Sequence, residues 1–134
     1  GALGVKCARP EQPVVCFAGD GAVQYHAAEL ETAARYGINI VLVVNNNSAL
    51  NQEVHLYDGA YGGKMRGRSD ELWRFRDIDF AKLADVYGCA GIRVERPQDL
   101  EGAIEHAIGA GRPVVIDAVT DVAATARQAW SPAA

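Results

Sequence analysis

Residues 13–47 read PVVCFAGDGAVQYHAAELETAARYGINIVLVVNNN, and this stretch decides the fold. It contains two short apolar runs, residues 14–18 and 40–44, separated by a segment with a helical spacing of apolar residues. The runs are too short for helices, and the second is rich in β-branched residues, which is typical of buried strands. The first run ends in Gly-Asp-Gly at 19–21 and the second in three asparagines at 45–47. The pattern predicts a strand–turn–helix–strand unit.

Polar side chains follow both predicted strands at the point where each strand ends. In an open parallel sheet, ligands bind outside the carboxyl ends of the strands, so we expect Asp20 and the asparagines to converge on one site. A carboxylate and amide oxygens suit a hard cation such as Mg²⁺. The glycines beside Asp20 would allow a tight turn and close approach of a ligand. A helix beginning shortly after Gly21 would direct its amino terminus at this site and favour a diphosphate there.

Strand and helix signals continue to alternate along the rest of the chain. We expect the end of a helix at residues 1–9, helices at 24–36, 77–87 and 97–110, and strands at 91–94 and 114–119. Asp77 is the predicted N-cap of the third helix. The alternation predicts an α/β fold: a doubly wound parallel sheet with helices on both faces, in three α/β/α layers.

Residues 48–75 show the least regular pattern, with four glycines and interleaved aromatic residues. Long loops inside compact domains are usually functional or disordered. Two interpretations stay open for this loop: a lid over a ligand or a subunit contact, and a solvated loop packed by its own aromatic side chains. Arg66, Arg68 and Arg74 could contact an anionic substrate or form surface ion pairs.

Composition limits the classes of protein. A length of 134 residues favours one domain, and a net charge of −4 argues against a nucleic-acid-binding protein. No stretch approaches the roughly 20 apolar residues that a membrane helix needs, and no amino-terminal signal segment is evident. Three widely spaced cysteines, without metal-ligand spacing, indicate free buried thiols in a reducing cytoplasm.

Competing motifs fail on inspection. A dinucleotide fingerprint needs a third glycine where Gln24 stands, and its second strand should end in an acidic residue. A P-loop needs a glycine five residues before Gly63-Lys64, but Asp58 stands there. A phosphoacceptor receiver domain also places an aspartate after a strand, but it needs neither the flanking glycines nor the asparagines.

The Gly-Asp-Gly sequence, followed after 24 residues by Asn46-Asn47, resembles the diphosphate-binding motif of thiamine-diphosphate enzymes. Residues 29–33, the run Asn-Asn-Ser-Ala-Leu at 46–50 and the closing Arg-Pro-Val-Val-Ile-Asp at 112–117 are similar to the acetolactate synthase, benzoylformate decarboxylase and pyruvate oxidase branch. This resemblance implies an enzyme that acts on 2-keto acids by decarboxylation or carboligation.

The resemblance also implies which residues hold the cofactor. Asp20, Asn47 and the backbone carbonyl of Ala49 would bind Mg²⁺, which bridges to the diphosphate. Many relatives have a serine where Ala22 stands, so only backbone contact with phosphate is expected there. The full set of implied cofactor contacts is Gly19, Asp20, Gly21, Ala22, Asn47, Ala49, Leu50 and Asn51. No catalytic residue is assigned to this chain; we expect His26, His55, His106 and Glu29 to have other roles.

In this family the cofactor's aminopyrimidine is activated by a glutamate on a pyrimidine-binding domain of a neighbouring subunit. A central domain, which binds flavin (FAD) in some relatives, precedes the diphosphate-binding domain. We therefore expect residues 1–134 to be a carboxyl-terminal piece of a longer cytoplasmic enzyme, a homodimer or homotetramer, with half an active site and no turnover alone. The alternative is a non-catalytic α/β scaffold, or a degenerate domain with an assembly role.

Overall fold

In a computed structural model, the chain forms a four-stranded, fully parallel sheet with strand order β1-β2-β4-β3. The structure describes residues 1–63 and 67–124, and of His55 only the backbone. The strands are β1 (Val15–Gly19), β2 (Val41–Asn46), β3 (Ala90–Val94) and β4 (Val114–Val119). The predicted α/β fold with a parallel sheet is confirmed, and all four predicted strands lie within one or two residues of their expected positions.

Six α-helices connect or flank these strands in the described residues. They are α1 (Ala2–Ala8), α2 (Asp20–Gln24), α3 (Glu29–Tyr36), α4 (Asn51–Tyr61), α5 (Phe80–Val86) and α6 (Leu100–Gly109), with 3₁₀ turns at Ser69–Leu72 and Pro97–Asp99.

The sheet has an apolar cluster on each face, because successive strand residues point to opposite sides. On one face, Leu42, Val44 and Val115 pack against Leu30 of α3 and Phe80 of α5. On the other face, a second cluster covers the sheet beneath α6; its buried members are Val41, Val43, Val94, Ala107, Val114, Ile116 and Ala118. The three-layer arrangement follows directly from this division.

Helix α5 lies unusually close to strand β3. A Cβ atom added to Gly91 would stand 2.0 Å from the carbonyl oxygen of Ala81, which is backbone and cannot rotate away. Gly91 is therefore the residue that allows this helix to pack directly on the sheet.

The helix predicted at 24–36 is interrupted. Helix α2 begins at Asp20, four residues earlier than expected, and its C-cap is Tyr25. Helix α3 runs from Glu29 to Tyr36, and its C-cap Gly37 has the left-handed conformation. The prediction of one helix was wrong because the apolar period continued across a turn, although the end at Gly37 is confirmed.

Residues 48–75 are more regular than predicted. They contain the eleven-residue helix α4 and a 3₁₀ turn, and the aromatic rings of Tyr57, Tyr61 and Trp73 pack together. Arg68 pairs with Glu71 on the surface, whereas Arg66 lies outside the described residues.

The N-cap of α5 is Asp79 rather than Asp77. Its carboxylate accepts a hydrogen bond of 2.9 Å from the backbone N–H of Lys82, and this contact lowers the pKa of Asp79. Both aspartates precede the helix, and only the geometry distinguishes them.

The three cysteines are free, but their burial differs from the prediction of buried thiols. Cys7 is exposed and Cys16 half-buried, whereas Cys89 is buried and its Sγ lies 3.3 Å from the carbonyl oxygen of Leu30. Burial raises the pKa of the Cys89 thiol. Within residues 1–63 and 67–124, no helix has the length and apolar character needed to cross a membrane. Residues from 125 onward lie outside those that the structure describes.

Candidate functional site

Asp20 is the first residue of α2 and is only 3% exposed. Its Oδ1 accepts the N–H of Gly21 at 2.8 Å, and its Oδ2 accepts the N–H of Ala49 at 3.1 Å. Among the described residues, no arginine, lysine or histidine forms an ion pair with it. A buried carboxylate without a cationic partner is costly, so the site has the electrostatic character expected of a cation-binding position.

Asn47 reaches the same place from the end of β2. Its Oδ1 accepts the N–H of Ala49 at 3.1 Å, so the Asp20 carboxylate and the Asn47 amide oxygen share one backbone donor. The structure therefore brings together the two side chains that the sequence predicted to converge.

The backbone around Ala49 is held by an antiparallel bridge to Arg74. The bridge hydrogen bonds are made by its neighbours: Leu50 donates to the carbonyl of Trp73 at 2.8 Å, and Phe75 donates to that of Ser48 at 2.8 Å. In such a pair, the residue between the two bonds turns its own N–H and C=O away from the partner strand. We therefore expect the carbonyl of Ala49 on the same side as its N–H, which donates to Asp20.

The three asparagines have three different environments. Asn45 accepts a 2.7 Å hydrogen bond from the hydroxyl of Thr120, and Asn46, which is 2% exposed, points into the interior. Only Asn47 joins Asp20 at Ala49. The register chosen from the sequence is therefore the one in which the pair meets.

Gly21 provides space rather than an unusual backbone conformation. A Cβ atom there would lie 2.5 Å from Cδ2 of Leu50 and 3.3 Å from Cε2 of Phe75. Gly19 is the N-cap of α2 with φ −71° and ψ 154°, a conformation open to any residue, and a Cβ there would meet nothing within 4 Å. Neither residue has a positive φ, so the backbone conformation alone does not require glycine at these two positions.

The remaining predicted contacts lie around this centre. Leu50 packs on Gly21, as described above. Asn51 begins α4, and its amide donates to the carbonyl of Val122 at 3.0 Å, so part of its hydrogen-bonding capacity is used within the protein. Ala22 is exposed and borders an apolar groove of about 480 Å³ beside α1.

A buried polar network behind the site was not predicted. Asp117, which is 0% exposed, lies in β4 among apolar neighbours and binds Asn46, Phe80 and Arg93. An acidic residue inside the otherwise apolar run 114–119 is the sequence signal that could have revealed it. Ser48 was also missed; it is the one non-glycine residue with a positive φ, 55°, among those described.

The donor set is made of oxygen atoms. No cluster of three or more histidine, cysteine, aspartate or glutamate side chains suited to a metal occurs in the part of the chain that the structure describes. One carboxylate, one amide oxygen and a backbone carbonyl fit Mg²⁺, which often keeps waters or phosphate oxygens as its other ligands. The residues present therefore fit this ion and a bound diphosphate.

Known proteins resemble this chain in sequence and in fold. The family model for the C-terminal TPP binding domain of thiamine pyrophosphate enzymes matches residues 1–118. The acetolactate synthase large subunit of Haemophilus influenzae is 42% identical over 106 residues, which cover 79% of this chain and 18% of that protein. The isozyme 3 large subunit of Escherichia coli acetolactate synthase is 36% identical over 123 residues, covering 90% and 21%.

A solved structure of a thiamine diphosphate-dependent enzyme has a similar fold. The thiamine diphosphate-dependent 4-hydroxybenzoylformate decarboxylase of Rhodococcus jostii RHA1 superposes with a TM-score of 0.79 and 29% identity, over 90% of this chain and 22% of that one. The chain thus spans about a fifth of the length of the relatives it matches. The chain belongs to the thiamine pyrophosphate enzymes, as their C-terminal TPP binding domain.

Proposed function

We propose that Asp20, Asn47 and the carbonyl of Ala49 bind Mg²⁺, and that this ion anchors the diphosphate of thiamine diphosphate. The observation that carries the proposal is the shared hydrogen bond at Ala49, where Oδ2 of Asp20 and Oδ1 of Asn47 each lie 3.1 Å from one nitrogen. A cation placed between these oxygens would neutralise a carboxylate that otherwise has no positive partner among the described residues.

The surroundings support a diphosphate next to the ion. The N-cap residue of α2 is Gly19, which has no side chain to occupy this end of the helix. The position of a Cβ at Gly19 is open, so a ligand could approach the backbone closely. Leu50 and Asn51 would lie beside the cofactor, as the resemblance implies.

We further propose that the chain contributes this half-site to an acetolactate-synthase-like lyase or transferase acting on 2-keto acids. When bound, thiamine diphosphate would supply the electron sink for cleaving or forming the bond at the keto carbon. The residues of this chain would hold and orient it, while a pyrimidine-binding domain, in the same or a neighbouring subunit of a homodimer or homotetramer, would complete the site. The 134 residues alone should show no decarboxylation in a steady-state assay.

Ligand-dependent stability tests the metal assignment. Thiamine diphosphate with Mg²⁺ at about 100 times Kd should raise the free energy of unfolding by roughly 2.7 kcal/mol. The stabilisation should disappear with EDTA and in Asp20→Ala. Asp85→Ala, which removes an exposed carboxylate from α5, is the matched control and should retain it. A full stabilisation in Asp20→Ala would show that the metal ligands have been misassigned.

The second candidate function is a non-catalytic α/β scaffold with an assembly role. It predicts no stabilisation of the wild-type chain by the cofactor and Mg²⁺ at any concentration. Asp20 favours the first candidate, because it is buried without a cationic partner among the described residues and meets Asn47 at the N–H of Ala49.

A further inference from the structure

The buried aspartate of β4 connects the interior of the sheet to the cofactor-binding edge. Oδ1 of Asp117 accepts a hydrogen bond of 2.8 Å from Nδ2 of Asn46. Its Oδ2 accepts the backbone N–H of Phe80 at 3.1 Å and Nη1 of Arg93 at 2.7 Å. Both oxygens are therefore used, and among the described residues the charge is compensated by one cation, Arg93.

Asn46 carries this connection along β2. Its Nδ2 donates both to Asp117 and to the carbonyl of Ile78, the latter at 2.9 Å, and both partners are acceptors, which fixes the orientation of the amide. Its Oδ1 is thereby turned to the backbone N–H of Ser48, 3.3 Å away. Both N–H groups of this side chain, and one acceptor position of its oxygen, are thus in use.

Ser48 is the point at which the chain turns from β2 towards Asp20. A non-glycine residue at φ 55° is conformationally unfavourable and persists only when its surroundings hold it. Here its N–H is bound by Asn46 and its carbonyl by Phe75. The next residue, Ala49, donates to Asp20 and Asn47, so the turn at Ser48 sets the spacing of the proposed metal ligands.

We propose that Asp117 is a positioning residue for the cofactor site: through Asn46 it holds the turn at Ser48 and thereby places Asn47 and Ala49 opposite Asp20. The carboxylate of Asp117 also accepts the N–H of Phe80, the first residue of α5. A negative charge is favourable at the amino terminus of a helix. This inference rests on the proposed function where it is tested by cofactor binding. Its test by amide hydrogen exchange needs no cofactor.

A role in stability alone is the competing explanation. Replacing a buried ion pair by apolar residues is often neutral or stabilising, so stability alone does not require an ionic pair at this position. Partners in the second layer around a metal commonly change its affinity by about 10–100-fold. The two explanations differ in where loss of Asp117 increases local opening of the structure. A role in stability alone predicts more opening throughout the fold, whereas a positioning role predicts it at the turn at Ser48.

Amide hydrogen exchange on the ligand-free chain separates them. In Asp117→Asn, the N–H of Ala49 should exchange about tenfold faster relative to that of Val43, a strand residue whose exchange reports general opening. Asp79→Ala is the matched control, because it removes a carboxylate that caps the same helix and that, among the described residues, forms its hydrogen bond and ion pair with Lys82 and not with Asn46. It should leave the ratio of Ala49 to Val43 exchange unchanged.

Calorimetric titration with Mg²⁺ and thiamine diphosphate supplies the second readout. Asp117→Asn should raise Kd by about 10–100-fold and Asp79→Ala should leave it unchanged. If the wild-type chain does not bind the cofactor, the half-site alone is too weak for this readout, and the exchange ratio decides the positioning role. If binding is lost in Asp20→Ala but is unaltered in Asp117→Asn, the function stands and the positioning role is wrong.

Two results for the ratio of Ala49 to Val43 exchange would contradict the proposal. One is an unaltered ratio in folded Asp117→Asn, and the other is an equal change of the ratio in Asp79→Ala. Should Asp117→Asn fail to fold, Asn46→Ala removes the intermediate link and leaves the contacts of Asp117 with Arg93 and Phe80 in place. It should accelerate exchange at Ala49 in the same way, and an unaltered ratio there also contradicts the proposal.

Discussion

Asp20 and Asn47, 27 positions apart in the sequence, accept hydrogen bonds from the same backbone N–H, that of Ala49, each at 3.1 Å. One lies at the start of α2 and the other just beyond the end of β2. The parallel pairing of β1 with β2 in register, with Gly19 opposite Asn45, brings the two strand ends to the same edge of the sheet. This relationship underlies the proposed metal site, and their role as ligands stays a prediction.

The two glycines beside Asp20 should respond differently to alanine. Gly21→Ala places a methyl group 2.5 Å from the end of the Leu50 side chain, which can partly rotate away, so we expect a loss of about 1–2 kcal/mol in the free energy of unfolding. Gly19→Ala meets no atom within 4 Å and should cost less than about 0.5 kcal/mol. Urea unfolding measures both, and equal losses would contradict the packing argument.

Gly19→Ala also tests whether a ligand lies close to the backbone at this position. If the diphosphate lies against the backbone at Gly19, Gly19→Ala should weaken cofactor binding in calorimetry although its stability is nearly unchanged. Wild-type affinity in that variant would remove Gly19 from the predicted contacts.

Gly91→Ala should be among the most destabilising single substitutions. The added methyl group would overlap the carbonyl of Ala81, so α5 must move away from β3, at a cost of about 3 kcal/mol or more. Gly102→Ala is the matched control, because Gly102 lies within α6 with open space around its Cβ position. It should stabilise by about 0.5–1 kcal/mol through helix propensity. In thermal unfolding, we expect the midpoint temperature to fall for Gly91→Ala and to rise for Gly102→Ala.

The N-cap of α5 predicts a pH-dependent contribution from Asp79. Asp79→Ala should cost about 1 kcal/mol at neutral pH. Because the folded-state pKa is lowered, this contribution is present above the ordinary aspartate pKa of about 3.9 and is lost as pH falls through the folded value. The difference between wild type and variant in urea unfolding should therefore shrink below that pH.

Asp77→Ala is the comparison for this prediction. Its side chain is 75% exposed and lies 3.6 Å from Arg93, so the loss should stay under about 0.5 kcal/mol. A larger loss for Asp77→Ala than for Asp79→Ala would reverse the assignment of the cap.

Cys89 should make the protein less stable in alkali. Burial raises its pKa, so the folded state retains the proton that the unfolded state releases above about pH 8.5. Unfolding is then favoured as pH rises through that range, by the linkage of proton binding to stability. Cys89→Ala should reduce the slope of stability against pH, measured by urea unfolding from pH 8 to pH 10. Cys7→Ala, at an exposed thiol, should leave the slope unchanged.

Most of the fold was predictable because strand and helix periods are local properties of the sequence. The predicted strand Val114–Val119 has the same first and last residues as β4, and Gly37 was correctly predicted to end α3. The errors fell where local signals continue past a structural change. The apolar spacing of 24–36 did not reveal the turn between α2 and α3, and the glycines of 48–75 concealed α4.

The sequence by itself determined the class of the fold and the identity of the two facing side chains, because both depend on which residues end the buried strands. Tertiary structure alone decided what surrounds them: that Asp20 is buried without a described cationic partner, and that Gly21 is needed for Leu50. It also decided that Asp117 lies behind Asn46. These relationships join residues up to 71 positions apart, and they exist only when strands and helices from different parts of the chain pack at one edge of the sheet.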